Sequence, residues 1–249
     1  PIFFSPAPAP CMDPVISLIR EELEKHADPG IRKSSRRFFR EPVTCYGMKT
    51  TTATTIAKKY WATIRSRDKK EILSLCEELY RSGYLEESFI ASEWARRLSL
   101  RYDREDSAVF RHWIETYITN WASCDGFCNH AAGDFIGRFP DSISELEQWT
   151  RSENRWLRRA AAVSLILPAK HGKFLDESIS IATLLLTDGD DMVQEGYGWL
   201  LKEASRKHAE EVFSFVMENR DKMPGTALRN AIGLMPAALK AEAMKRDRC

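Results

Sequence analysis

The chain has 249 residues, 43% hydrophobic and 29% charged, a composition that supplies a sizeable core and excludes a disordered polyampholyte. Its 37 basic and 36 acidic side chains leave a formal net charge of +1, so any polyanion-binding surface must come from local clustering of cations. No stretch approaches the roughly 18 to 20 apolar residues that a bilayer-crossing helix needs.

Residues 1–11, "PIFFSPAPAPC", hold four prolines and no positive charge, unlike a secretory signal. They are expected to form a disordered Pro/Ala-rich tail before a single domain over 12–249. "PVISLIREELEKH" places Val15, Ile16, Leu18, Ile19 and Leu23 on one helical stripe. "KKEILSLCEELYRSG" does the same with Ile72, Leu73, Leu75, Cys76 and Leu79, and Gly83 follows as a helix stop. "EESFIASEWARRLSL" and "DSAVFRHWIETYITNW" continue the pattern, and "DSISELEQW" opens with a capping box from Ser142 to Glu145. "ENRWLRRAAAVSLIL", "LDESISIATLLL", "DDMVQEGYGWLLKEASRKH" and "AEEVFSFVMENR" complete the series.

No proline falls between Pro42 and Pro140, and no alternating strand pattern bounded by turn residues occurs. The fold class is therefore all-α. Successive amphipathic helices joined by short connections pack as antiparallel pairs, an α-solenoid of divergent HEAT-like or armadillo-like repeats. Such arrays curve and offer a concave binding face.

Cations cluster twice. Lys58, Lys59, Arg65, Arg67, Lys69 and Lys70 are interrupted only by Asp68, and Arg151, Arg155, Arg158, Arg159, Lys170 and Lys173 only by Glu153. Either cluster suits phosphates, and either is also compatible with a solvated helix face. Arg155 and Arg159 share a face one turn apart, whereas Arg158 points elsewhere. Of seven tryptophans, Trp61, Trp94, Trp113, Trp149 and Trp156 lie in apolar stripes and are expected in or near the core. Gly196 and Gly198, beside Trp199, cost a helix about 1 kcal/mol each relative to alanine. They imply close approach of another helix or of a ligand.

"NWASCDGFCNH", residues 120–130, admits three readings. Cys124, Cys128 and His130 give C-x3-C-x-H, which lacks zinc-knuckle spacing and a second ligand pair, so packed thiols are the better reading. The other cysteines (11, 45, 76 and 249) form no disulfide framework, and reduced thiols are expected. Asp125 is costly to bury unpaired and is suited to cap a turn beginning at Gly126. Alternatively, Trp121 and Asp125 lie one turn apart on a helix, an aromatic face beside a carboxylate. That pair suits a cationic planar ligand, or positive charge developing on a sugar.

Three stretches together resemble one family. "YITNWASCDGF" is similar to its Trp-x-x-x-Asp helix, "SENRWLRRAAAVSLIL" to its Trp-x-Arg-Arg helix, and "DDMVQEGYGWLLKEASRKH" to its Val-Gln-x-Gly-x-Gly-Trp helix. "YGMKT", which contains Lys49, resembles the entry to its second repeat. The family is that of the AlkD-like alkylpurine DNA glycosylases, built from HEAT-like repeats. The resemblance implies hydrolysis of the N-glycosidic bond of cationic N3- or N7-alkylated purines in duplex DNA, without base flipping. It implies a catalytic Asp125 flanked by Trp121 and Trp199. Arg159 would hold a phosphate near the lesion, with Arg155, Arg158, Lys202 and Lys49 as further DNA contacts. No metal or organic cofactor is implied, and a cytoplasmic monomer is expected, nucleoid-associated if the source is prokaryotic. Lys202 stands where many relatives have Arg, and Phe38 roughly where some carry Tyr. A non-catalytic DNA-binding relative and a protein-binding scaffold are the alternatives.

Overall fold

The computed structural model describes residues 12–245, so the expected tail over 1–11 lies outside the described residues. The protein is all-helical. Among the described residues the sole extended pairing is an isolated bridge between Thr44 and Tyr84. The helices group into two compact units, residues up to Trp94 and residues from Ala95 onward.

The first unit contains α1 (Pro14–Lys25), α2 (Pro29–Ser35), α3 (Thr50–Ile64), α4 (Lys69–Arg81) and α5 (Leu85–Arg97), whose last turn passes the boundary. Asp13 caps α1 by accepting from Val15 N at 2.9 Å, and Pro14 follows at the first helical position. Val15, Ile16, Ile19 and Leu23 are buried against α3 and α4. Leu18, expected on the same stripe, is 49% exposed. At about 100° per residue it falls about 60° outside the arc that the other four define. The apolar stripe of α4 is buried as expected, and Gly83 adopts φ +73° just past its end.

The segment "TCYGM" is fixed by two buried acids of α5. The Glu86 carboxylate accepts from the backbone amides of Tyr46 (2.9 Å), Gly47 (2.9 Å) and Met48 (3.3 Å). Glu87 accepts from the Tyr46 hydroxyl at 2.7 Å and from Arg20 at 3.0–3.2 Å. Burial, and then the Glu87 carboxylate, push the Tyr46 hydroxyl well above the ordinary tyrosine value, so it remains a donor. Gly47 has φ +88°, and a Cβ there would stand 2.5 Å from Asp28 O, so both backbone angle and space demand glycine.

The second unit contains α6 (Asp106–Thr116), α7 (Trp121–Phe127), α8 (Gly133–Arg138), α9 (Ile143–Trp149), α10 (Arg155–Val163) and α11 (Ile166–Lys170). These are followed by α12 (Leu175–Leu184), α13 (Asp191–Ala204), α14 (Ala209–Asn219), α15 (Gly225–Ala231) and α16 (Ala237–Ala243). Phe110, Trp113, Phe127 and Phe135 form an edge-to-face aromatic core. The sequence suggested one helix from Asp106 through Trp121. Instead α6 stops at Thr116, and Asn120 starts α7 by accepting from Ser123 N at 2.9 Å. A π-helical turn, Cys128–Ala132, joins α7 to α8.

The expected capping box of α9 is absent. Ser142 closes a 3₁₀ turn and makes no side-chain cap, while Glu145 accepts from the Ser107 hydroxyl. A tertiary hydroxyl here replaces the local partner.

Helix α13 packs against α10, α11, α12 and α15. A Cβ at Gly198 would lie 2.8 Å from both Ala227 O and Asn230 Cβ, so the glycine permits backbone contact between α13 and α15. Gly198→Ala therefore sets a helix-propensity gain of about 1 kcal/mol against an overpacking cost of about 1–3 kcal/mol that backbone cannot relieve cheaply. Net destabilisation of up to about 2 kcal/mol is expected by urea denaturation; a stabilised variant would refute this account of Gly198.

Candidate active site

Because Asn120 caps α7, Trp121 is its first residue and Asp125 lies one turn later on the same face. Both are partly buried. Asp125 sits mid-helix and does not cap a following turn at Gly126. Asn154 caps α10 through Trp156 N at 2.9 Å, which places Arg159 in its second turn. Arg159 donates from Nε to Asp125 Oδ1 and from Nη2 to Oδ2, each at 2.8 Å, a bidentate pair. Its Nη1 donates to the Met192 carbonyl of α13.

The Arg159 side chain is 4% exposed and that of Asp125 16%. Burial lowers the guanidinium's proton affinity, but the Asp125 carboxylate more than offsets this and holds it above the usual arginine value. The carboxylate has about four lone-pair positions, of which Arg159 occupies two. The others remain for a water or a nearby positive centre. Gly196 contributes the space: a Cβ there would be 3.2 Å from Arg159 Cγ. Both helical glycines are thus explained by close packing, one against a side-chain stem and one against backbone. On α13, Met192, Gly196 and Trp199 follow at i, i+4 and i+7, so half-buried Trp199 shares the helix face that meets Arg159. Helix α10 packs on both α7 and α13 and so brings the three contributions to adjoining helices.

The remaining expected cations lie in different settings. Arg159, expected at a phosphate, is directed into the protein at Asp125. Arg158, also expected at DNA, pairs with Asp188 at 2.6 Å and donates to the Ser152 and Glu153 carbonyls at 2.9 and 3.0 Å. Its donors tie two loops together. Arg155 meets Asp190 at 3.3 Å, stands over the Trp156 ring at 4.6 Å and keeps 32% of its side chain exposed. Lys202 is partly exposed, with its stem beside Gly233. Lys49 is exposed ahead of α3, in the first unit. In the other cationic cluster, Lys59 pairs with Glu22 at 2.5 Å and Arg67 with Asp13 at 2.6 Å.

Cys124 and Cys128 are buried, and the Cys124 thiol lies 3.8 Å from the Trp156 carbonyl. Burial, and then the neighbouring Cys124, push the Cys128 thiol well up. Both behave as packed apolar groups. His130 is exposed. Among the described residues no His, Cys, Asp or Glu cluster is arranged to hold a metal ion.

Two features escaped the sequence reading. Asp188 and Asp190, which neutralise Arg158 and Arg155, lie some thirty residues beyond them. The run Arg32, Lys33, Arg36, Arg37 and Arg40 contains no acid, and Phe38 within it is 75% exposed. Counting charge in short windows would have revealed that run.

These observations define a helical-repeat protein in which a buried guanidinium orients a carboxylate beside an indole. Residues 19–235 match the model of the DNA alkylation repair enzyme family, and the chain belongs to that family. A solved structure from Enterococcus faecalis, described as a predicted DNA alkylation repair enzyme, superposes with a TM-score of 0.76. It is 16% identical and covers 85% of this chain and 98% of its own. AlkD2 from Streptococcus mutans superposes with a TM-score of 0.61 at 16% identity, covering 90% of this chain and all of its own. The smu.31 protein of Streptococcus mutans UA159 gives a TM-score of 0.55 at 18% identity, over 78% of this chain and 98% of its own. At such identities these likenesses concern the fold. No curated protein shows significant sequence similarity to the chain.

Proposed function

We propose that the protein is a DNA glycosylase that hydrolyses the N-glycosidic bond of cationic N3- or N7-alkylated purines in duplex DNA. The observation that carries this reading is the bidentate Arg159–Asp125 pair, one turn from Trp121 and beside the helix of Trp199. An alkylated purine already bears positive charge and leaves without a strong general acid. The work left to the protein is to stabilise an oxocarbenium-like sugar and direct water to it, which one anionic carboxylate performs. Arg159 fixes the orientation of that carboxylate through two parallel hydrogen bonds, so it is a positioning residue. Trp121 and Trp199 offer flat apolar faces to the lesion nucleotide's sugar and backbone. Because Trp121 and Asp125 both reach the surface, we place the reaction on a nucleotide that remains in the duplex, with no metal or organic cofactor. Arg155, Lys202 and Lys49 would bind phosphates, a role that fixes position without reading sequence.

The test is release of methylated purines from methylated duplex DNA. Asp125→Asn is expected to lower the single-turnover rate by about 10²-fold or more, the scale of losing an electrostatic stabiliser of developing charge. Full activity in that variant sinks the mechanism. Duplex binding by the wild type with no base released sinks the enzymatic reading and leaves a DNA-binding relative.

A further inference from the structure

The second unit holds a cationic patch that lies beyond the candidate active site along α13. The C-terminal ends of α11 and α13 meet there. A Cβ at Gly172 would be 3.4 Å from Lys207 Cβ, and the His208 ring nitrogen lies 3.2 Å from the Gly172 carbonyl. This contact brings Lys170, His171 and Lys173 beside Arg206 and Lys207. Lys170, His171, Lys173, Arg206 and Lys207 are all exposed.

The acid at the centre is Glu203, 7% exposed, which accepts from Arg206 at 2.6 Å. Burial raises its carboxyl, but Arg206, then Lys202 and Lys170, hold it below the usual glutamate range. Three cations, Arg206, Lys202 and Lys170, therefore act on one buried carboxylate. Asp176 and Glu177 open α12, Glu210 and Glu211 open α14, and Glu211 stands 3.8 Å from His208. Those acids complement helix N-termini, as the cations in part complement two C-termini. Yet no hydrogen bond or ion pair among the described residues holds Lys170, Lys173 or Lys207. Three unpaired lysines on two adjoining helix ends exceed what the helix dipoles require.

Position gives the patch a ligand. Trp199, Lys202 and Arg206 follow at i, i+3 and i+7, so one stripe leads from the candidate active site to the patch. The stripe is about 10 Å long at 1.5 Å per residue. At about 3.4 Å per nucleotide along one strand, that spans about three nucleotides.

We propose that Lys170, Lys173 and Lys207 form a phosphate-binding subsite for the DNA backbone about three nucleotides from the lesion. This rests on the DNA-repair reading above. The subsite supplies sequence-independent, salt-sensitive affinity, because each lysine at a phosphate releases condensed counterions.

The experiment measures the affinity for an unmodified duplex oligonucleotide across salt concentrations. It compares wild type, the triple variant Lys170→Ala/Lys173→Ala/Lys207→Ala and a charge-matched control, Lys25→Ala/Lys222→Ala/Lys245→Ala. The slope of log K against log [salt] is expected to become shallower by about one per lysine, about three in all, in the first triple only. Thermal melting of both triples checks folding, since every altered side chain is exposed. Wild-type binding with an unchanged slope in the first triple, or an equal loss in the control, overturns this subsite alone. A wild type that binds no duplex overturns it together with the DNA-repair reading.

Discussion

Asp125→Ala is expected to destabilise the folded state by about 3–5 kcal/mol, far more than loss of a surface carboxylate, because it strands a buried guanidinium. Arg159 is 4% exposed and has its donors directed at Asp125 and the Met192 carbonyl. Without the carboxylate, its charge stays desolvated with only a carbonyl as partner. Arg159→Met removes the charge and retains much of the stem that packs beside Gly196, so Asp125→Ala/Arg159→Met should recover most of the loss. Urea denaturation of both single variants and the double variant completes the cycle, and a coupling energy below about 0.5 kcal/mol would contradict a buried, mutually dependent pair. Arg159→Lys separates positioning from phosphate binding, since it preserves charge and loses the two-pronged geometry. A positioning role predicts a slower release rate with unchanged DNA affinity and salt slope. A phosphate role predicts weaker, less salt-dependent binding.

Local features of this site were legible in the sequence. The Trp121–Asp125 spacing needs only a helix, whereas the Asn120 cap that begins it was hidden within what read as one helix from Asp106 through Trp121. The Gly83 stop and the buried stripe of α4 are equally local. What connects distant segments was not legible. Nothing near Arg158 shows that Asp188 occupies it, and nothing near Ser142 shows that Ser107 takes Glu145. The same blindness changed the meaning of Arg159. Its motif placed it at the site, but only tertiary geometry shows the guanidinium turned toward Asp125.

Charge counting failed in both directions for a related reason. The 151–173 cluster looked strongly cationic because its neutralising acids come from the loop before α13. Lys207 was not joined to Lys170 and Lys173 because these residues are divided between two helix ends. Net charge in a linear window reports surface potential only where the chain's partners are also its neighbours.

The buried acids of α5 show how much stability such a hidden connection can hold. Glu86→Gln is nearly isosteric, yet it is expected to cost about 3 kcal/mol, because the amide retains one accepting oxygen and turns an NH₂ group on backbone N–H donors. The Tyr46 amide meets one carboxylate oxygen, and the Gly47 and Met48 amides share the other. Whichever way the amide is turned, at least one buried N–H loses its acceptor and faces another donor, and the negative charge that strengthens all three bonds is gone. Glu87→Gln should cost less, because Arg20 keeps 25% of its side chain exposed and recovers some hydration. Hydrogen exchange at Tyr46, Gly47 and Met48 reads the local effect, and urea denaturation the total. Glu86→Gln with native stability and unaltered protection at these amides would show that the carboxylate is dispensable. The segment would then be held by the φ +88° glycine and by Arg32, which donates to the Tyr46 carbonyl at 3.0–3.1 Å.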